Sequence, residues 1–399
     1  MIKPASSLCN LSCEYCFYRD VAEHREHLGF GIMTHETATR LIEKALIFAD
    51  GKPVSFAFQG GEPTLAGLSY FEHFVRTVRE KNEKNSPVFY SIQTNGTQIN
   101  DAWARFLAKH NFLTGLSLDG DFDGNKFRKK PSGQNTFYQI MNAAAVLRKH
   151  GAEFNILTVL TGYCAENGER IYRFFRKKGF RYLQFIPCLR PFGSDEESEL
   201  YMTSAQYADF LIRVFNLYVK DYVRGQYISV REFDNLVRLY LGQRPEQCGM
   251  AGHCAHQFVS ESNGNIYPCD FLLHGRIPAR QHCRYGFFCH GAMRDRRALY
   301  QREPARARTL PQLQILPAVP RRRLQAHQRE RRLLRGVQGV FLRLPAAVPR
   351  VRRGSQASAG LAGQLMRLTW NCCDCVAFFV RKLQRTGESD KITSRRYHL

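Results

Sequence analysis

Over the first 225 residues, short apolar runs rich in β-branched and aromatic residues alternate with longer segments of helical periodicity. That alternation restricts the chain to a parallel α/β sheet or barrel. Strands are predicted at 54–58, 88–93, 113–118, 154–160 and 182–187. A helix is predicted after Thr34, which can cap it: Ala38, Leu41, Ile42, Ala45 and Leu46 recur on one face, and Gly51 ends it. Comparable helices fall near 69–83, 100–110, 136–150, 165–178, 203–221 and 230–242. Five strands plus one short strand before Cys9 make a partial six-unit barrel, open on one side. Only eight residues precede Cys9, so that first strand is nearly absent and a true start upstream of Met1 is expected.

In parallel α/β folds the chemistry gathers at the carboxyl ends of the strands, and the motifs of this chain fall there. Cys9, Cys13 and Cys16 have the spacing C-x3-C-x2-C. Three thiolates in one short loop can each hold one iron of a four-iron cluster and leave the fourth iron without a protein ligand. An open iron beside an electron-donating cluster is what reductive cleavage of S-adenosylmethionine needs, because the methionine amino and carboxylate groups can chelate it. The plainer readings are a zinc knuckle or three reduced cysteines. Structural zinc, however, takes four closed ligands, commonly in C-x2-C pairs, and no fourth ligand lies within a turn. Gly60-Gly61-Glu62-Pro63 follows the strand at 54–58, Gln93-Thr94-Asn95-Gly96 ends the next, and Ser117-Leu118-Asp119-Gly120 ends the one after. Each alone reads as turn chemistry; at successive strand ends they become pocket lining. Cys164 and Cys188 have no partners at metal spacing and read as small buried residues, and most histidines, His24 and His27 among them, are scattered.

A second cysteine set, Cys248, Cys254 and Cys269, follows a helix, and Asn263-Gly264-Asn265 reads as a hairpin turn that would fold Cys269 back toward the other two. The C-x3-C-x2-C loop followed by Phe17-Tyr18, the Gly-Gly-Glu-Pro turn and Tyr267-Pro268-Cys269-Asp270-Phe271 together resemble the radical S-adenosylmethionine enzymes with a SPASM-type auxiliary domain. Within them the chain is most similar to the anaerobic sulfatase-maturating enzymes, over about residues 1–271. The resemblance implies a radical SAM core at 1–225, built as a partial (β/α)6 TIM-like barrel, and the start of an auxiliary iron–sulfur domain at 226–271. It implies a [4Fe-4S] cluster on Cys9, Cys13 and Cys16, and S-adenosylmethionine contacts from Tyr15, Gly61, Ser117, Arg128 and Leu189. Tyr18 and Gln93 would lie near the reacting side chain, and Cys248, Cys254 and Cys269 would hold an auxiliary [4Fe-4S] cluster. By the same resemblance Asp270 would take a proton from a Cys or Ser of an unfolded sulfatase segment while a 5′-deoxyadenosyl radical takes a β-hydrogen. The second electron would pass to the auxiliary cluster, leaving Cα-formylglycine. A reductant such as flavodoxin or ferredoxin is implied as partner. A different SPASM-type peptide maturase, one that forms thioether or carbon crosslinks, is the nearest alternative.

Composition has to be read by segment. The chain of 399 residues carries a formal charge of +23, but residues 271–399 hold 27 Lys+Arg against 6 Asp+Glu, or +21. The remainder, 58 − 27 = 31 basic and 35 − 6 = 29 acidic groups, is +2. A nucleic-acid-binding protein is the rival from another class, but the tail's charge lacks aromatic interleaving and a motif. Thirteen cysteines without a secretory leader point to a reducing, cytoplasmic setting and to metal ligation, not to disulfides. No run of about eighteen apolar residues exists, so no membrane span is expected. From 272 onward the sequence turns rich in Arg, Leu, Pro, Ala and Gln, has two lysines among its basic residues, and loses periodicity; such a tail is expected to be poorly folded.

The genetic code suggests why. Codons for Leu272 to His282 can be chosen so that dropping one base yields Tyr-Cys-Thr-Asp-Glu-Tyr-Arg-Leu-Gly-Asn, which continues Cys269-Asp270-Phe271 as the family does. The same shift lets Leu333 to Leu342 encode Tyr-Cys-Glu-Ala-Tyr-Lys-Glu-Phe-Phe, and lets Leu313 and Leu316 each supply a cysteine. An out-of-frame tail would lack the fourth auxiliary ligand and the second auxiliary cluster, and the chain would be unstable and inactive in formylglycine formation. The coding DNA is expected to hold one misplaced base near codon 272. A verified sequence without it, or stop codons in the shifted frame before about codon 340, would overturn the idea.

Overall fold

The computed structural model describes residues 1–191, 197–240, 243–247, 250, 257–267 and 269–270. Cys248, Cys254 and the whole segment 272–399 lie outside the described residues. Six parallel strands follow one another in sequence order across a single sheet: β1 (Val54–Phe58), β2 (Val88–Thr94), β3 (Phe112–Ser117), β4 (Phe154–Leu160), β5 (Tyr182–Pro187) and β6 (Ser229–Val230). Among the described residues nine helices accompany them: α1 (Phe17–Glu23), α2 (His35–Ala49), α3 (Leu68–Lys81), α4 (Asp101–Lys109), α5 (Phe137–Lys149), α6 (Gly162–Glu166), α7 (Gly168–Lys177), α8 (Ser204–Val223) and α9 (Arg231–Tyr240). None is long and apolar enough to cross a membrane. The expected α/β architecture and its five main strands are present, with ends moved by one residue at most.

Two elements differ from expectation. The short strand before Cys9 is reduced to one bridging residue, Ile2, which pairs with Phe58 of β1 and with Ser260. Pro4 has no N–H to continue a ladder, and residues 4–7 turn away at once, Ser6 taking φ +50°. The sixth strand is instead β6, two residues long and joined to β5 by Leu183 opposite Val230, too short to leave a periodic signal. The helix expected at 165–178 is two helices. Thr161 caps α6 by accepting from Cys164 N at 3.2 Å, and α7 begins at Gly168, where a Cβ would sit 2.4 Å from Phe210.

Periodicity translates directly into the core. On α2 the buried residues are Ala38, Leu41, Ile42, Leu46 and Ala49; Thr34 accepts from Thr37 N at 3.1 Å, and the helix ends at left-handed Asp50 and Gly51. Phe56, Phe58, Phe71, Phe74 and Phe112 close one end of the core as edge-to-face and stacked pairs. Because all strands are parallel, the segments after β1 to β5 leave the sheet at one rim and converge there. Beyond the barrel, β7 (Val259–Ser260) and β8 (Ile266–Tyr267) form the expected antiparallel hairpin around Gly264, whose φ is +86°.

One carboxyl in this frame is tuned by burial. Glu232, at the start of α9, accepts from Phe185 N at 3.2 Å through Oε2, while Oε1 is buried without a partner among the described residues. Burial raises it to about 7, against which the Phe185 amide and the Arg231 charge act. Its protonated form is therefore favoured in the folded chain. The associated stability is complete below the ordinary value of 4.5 and is lost as pH rises toward 7. Glu232→Gln should remove this dependence: its unfolding free energy relative to wild type is expected to gain up to roughly 3 kcal/mol between acid and mildly alkaline pH in denaturant titrations.

Candidate functional site

The cysteine loop is held mainly by backbone. Ser12 N donates to Lys129 O at 2.8 Å, Glu14 N to Phe127 O at 3.1 Å, and Cys16 N to Cys13 O at 3.2 Å. On the other side Gly61 N donates to Ser6 O at 2.9 Å and Glu62 N to Leu8 O at 2.7 Å. At Gly61 a Cβ would lie 2.0 Å from Leu8 O, so only glycine permits this approach. Gly60, at φ +131°, is needed as well.

Glu62 then ties the loop after β1 to the end of β2. It is 1% exposed and accepts from Thr64 N (3.1 Å), Thr64 Oγ1 (2.6 Å), Thr94 Oγ1 (2.7 Å) and Asn95 N (2.7 Å). Burial raises its pKa, and these four donors act in the opposite direction. Asn95 in turn donates to Asn10 Oδ1 at 2.9 Å and points its Nδ2 at Cys9 Sγ, 3.8 Å away, and Asn10 donates to Thr97 Oγ1 at 2.8 Å.

The third anchor is Asp119, after β3. Its fully buried carboxylate receives Arg128 Nε at 3.2 Å, Arg128 Nη2 at 3.0 Å, Val159 N at 2.8 Å and the Tyr15 hydroxyl. Arg128 is 6% exposed, so a solvated basic face does not describe it. Asp119 was legible in the sequence only as part of a Ser-Leu-Asp-Gly turn.

Cys9, Cys13 and Cys16 are free thiols. Burial raises Cys13 to about 12, Cys9 is exposed, and a charge on any one of the three would be felt by another. Without metal, Cys13 therefore keeps its proton at neutral pH, and iron must displace it. Among the described residues no three His, Cys, Asp or Glu side chains converge on a single ion, whereas a cluster gives each thiolate its own iron. Three free thiols in one backbone-clamped loop fit a [4Fe-4S] cluster. Half-buried Ser117 ends β3, half-buried Gln93 is the last residue but one of the adjacent β2, and half-buried Leu189 follows β5. Cys164 and Cys188 are buried, as expected of small core residues.

A second cluster of polar groups surrounds Asp270. Tyr18 OH donates to Oδ2 at 2.8 Å, Gln59 Nε2 lies 3.2 Å from the same oxygen, and Lys3 Nζ is 2.8 Å from Oδ1. Burial, reinforced by the Asp270 charge, pushes the Tyr18 phenol well above its ordinary value, so it remains a donor. The glutamine that reaches Asp270 is Gln59, which the sequence offered only as the last residue before Gly-Gly. Lys3 gave no sequence signal at all.

Comparison with known proteins is decisive. Residues 4–176 match the Radical SAM superfamily. A cysteine-type anaerobic sulfatase-maturating enzyme of Clostridium novyi is 44% identical over 275 residues, 68% of this chain and 73% of that protein. The chain belongs to the anaerobic sulfatase-maturating enzymes. The serine-type enzyme of Bacteroides thetaiotaomicron is 30% identical over 289 residues, 68% of this chain and 69% of that one. Among solved structures, native anSMEcpe with bound AdoMet superposes with a TM-score of 0.68 at 41% identity, covering 71% of this chain and 78% of that chain. The same enzyme with bound AdoMet and the Kp18Cys peptide gives 0.67 at 40%, covering 71% and 77%. Membership in the radical SAM family implies a [4Fe-4S] cluster and S-adenosylmethionine.

If Gly61 is what lets the loop after β1 seat the cysteine loop of this maturase, Gly61→Ala should cost about 3 kcal/mol, the upper end for overpacking. Iron retained per chain after anaerobic reconstitution should fall with it. A melting temperature and iron content equal to wild type would remove Gly61 from that role.

Proposed function

We propose that this chain acts as a radical S-adenosylmethionine maturase that oxidises a Cys or Ser of an unfolded sulfatase segment to Cα-formylglycine. The observation that supports this most directly is the hydrogen bond from Tyr18 to Asp270. It joins a residue two positions after the last cysteine of the cluster loop to one directly after Cys269. When bound at Cys9, Cys13 and Cys16, the cluster together with S-adenosylmethionine supplies a 5′-deoxyadenosyl radical able to take a hydrogen atom from the substrate β-carbon. Everything else falls to the chain itself. Tyr15, Gly61, Ser117, Arg128 and Leu189 line the cofactor's place, with Arg128 and Tyr15 held still by Asp119. Gln93 and Tyr18 flank the reacting side chain.

Asp270 takes the thiol or hydroxyl proton as the second electron passes to an acceptor such as the auxiliary cluster. A serine then gives the aldehyde directly, while a cysteine gives a thioaldehyde that water hydrolyses with release of sulfide. Carboxylates accept a proton efficiently only at hydrogen-bond range and with a fixed aim, and the donors around Asp270 provide that aim. Cys269, with Cys248 and Cys254, would hold the auxiliary cluster. The higher identity to cysteine-type relatives favours cysteine as the residue oxidised. A cytoplasmic setting with flavodoxin or ferredoxin as reductant completes the proposal, and residues 272–399 are read as an out-of-frame copy of the auxiliary domain.

The test uses Asp270→Asn in a frame-restored background. It should still form 5′-deoxyadenosine yet lose at least about a hundredfold in formylglycine, measured by peptide mass spectrometry. Normal aldehyde yield would remove Asp270 from the mechanism. Cys13→Ala serves as the control and should make no 5′-deoxyadenosine; if it does, the cluster assignment fails.

A further inference from the structure

Lys3 is 1% exposed, and its position is not explained by packing. A buried ammonium is expensive to desolvate, and replacing a buried ion pair by apolar side chains of similar volume is often neutral or stabilising. Here the fold makes room for it. A Cβ on Gly60 would lie 3.2 Å from Lys3 Cγ and 3.3 Å from its Cβ, so the glycine accommodates the lysine stem. The Lys3 amide donates to Ser260 O at 2.8 Å, in the hairpin that leads to Cys269 and Asp270. Its Nζ sits 3.8 Å over the centre of the Tyr18 ring and 2.8 Å from Asp270 Oδ1. Among the described residues neither Nζ nor Oδ1 completes an aligned hydrogen bond, so the pair is held by charge.

We propose that Lys3 is a positioning residue for Asp270: by holding Oδ1 it turns Oδ2 toward Tyr18 and Gln59 and fixes the carboxylate on the reacting side chain. Two hydrogen-bond donors and one ionic partner, from α1, the turn after β1 and the N-terminal segment, then define one carboxylate. Tyr18 is contacted by both members of the pair, so loss of Lys3 would loosen the phenol together with the base. Misaim of this kind slows proton removal while leaving radical formation intact, because proton transfer depends steeply on geometry. The inference rests on the reading of Asp270 as the base.

The frame-restored chain, reconstituted anaerobically, carries the test in four variants: Lys3→Met, Lys3→Arg, Asp270→Asn and the double variant Lys3→Met with Asp270→Asn. In thermal unfolding each of Lys3→Met and Asp270→Asn should lower the melting temperature more than the double variant does, since each alone strands a buried charge. Additive shifts would overturn the pairing. With a cysteine-containing sulfatase peptide, Lys3→Met should raise the ratio of 5′-deoxyadenosine to aldehyde by about tenfold or more at unchanged peptide KM, and Lys3→Arg should restore part of the coupling. A ratio equal to wild type would overturn the positioning role. Should the frame-restored chain with Lys3 and Asp270 intact yield no aldehyde, the maturase reading fails and this inference with it. Full aldehyde yield from Asp270→Asn would defeat the base assignment itself; loss of aldehyde there with Lys3→Met unaffected would defeat this inference alone.

Discussion

The backbone approach between residues 2–8 and 59–62 sets the geometry of everything around it. Gln59 N reaches Ile2 O at 3.0 Å, Gly61 N reaches Ser6 O and Glu62 N reaches Leu8 O. A Cβ at Gly61 would fall 2.0 Å from Leu8 O, so any other residue there would force the two segments apart. Backbone bonds of this kind have no rotamers to lose, so the cysteine loop is fixed with little side-chain entropy cost. The same approach delivers Glu62 to the end of β2 and Gln59 to Asp270. One pair of glycines thereby organises two otherwise separate polar clusters.

Two buried carboxylates complete the clamp, and each is satisfied by several donors. Glu62 accepts from Thr64, Thr94 and Asn95, while Asp119 accepts from Arg128, Val159 and Tyr15. An unpaired buried carboxylate would be untenable, whereas one bonded on both oxygens ties loops together rigidly. Each carboxylate draws donors from more than one segment, so the loops cannot move independently. For a reaction that must hold a radical away from water and wrong hydrogens, a rim without independent loops is the useful property.

The hairpin of β7 and β8 joins the barrel through the N-terminal segment and α1. Ile2 bridges both Phe58 and Ser260, and Arg25 pairs with Glu261 at 2.8 Å with both side chains buried. Val21 of α1 packs with Val259 and Tyr267 in a small separate core. Since α1 begins directly after Cys16, the hairpin is packed onto the element that leaves the cysteine loop, and Asp270 follows that hairpin.

The sequence alone determined the parallel α/β class, the five main strands, the helix faces and the cysteine loop, because these rest on local periodicity, capping and ligand spacing. It also marked the turn at Gly264 and the buried character of Cys164 and Cys188. Only the tertiary structure decided that β6, not a strand before Cys9, is the sixth strand, since a two-residue strand has no pattern of its own. Only the fold could reveal that Arg128 is buried against Asp119, that Gln59 is the glutamine beside Asp270, and that Lys3 is its ionic partner. These contacts join residues up to 267 positions apart, from Lys3 to Asp270. Spacing along the chain carries no information about such pairs; burial, which strips water from a charge and compels it to find a partner, does.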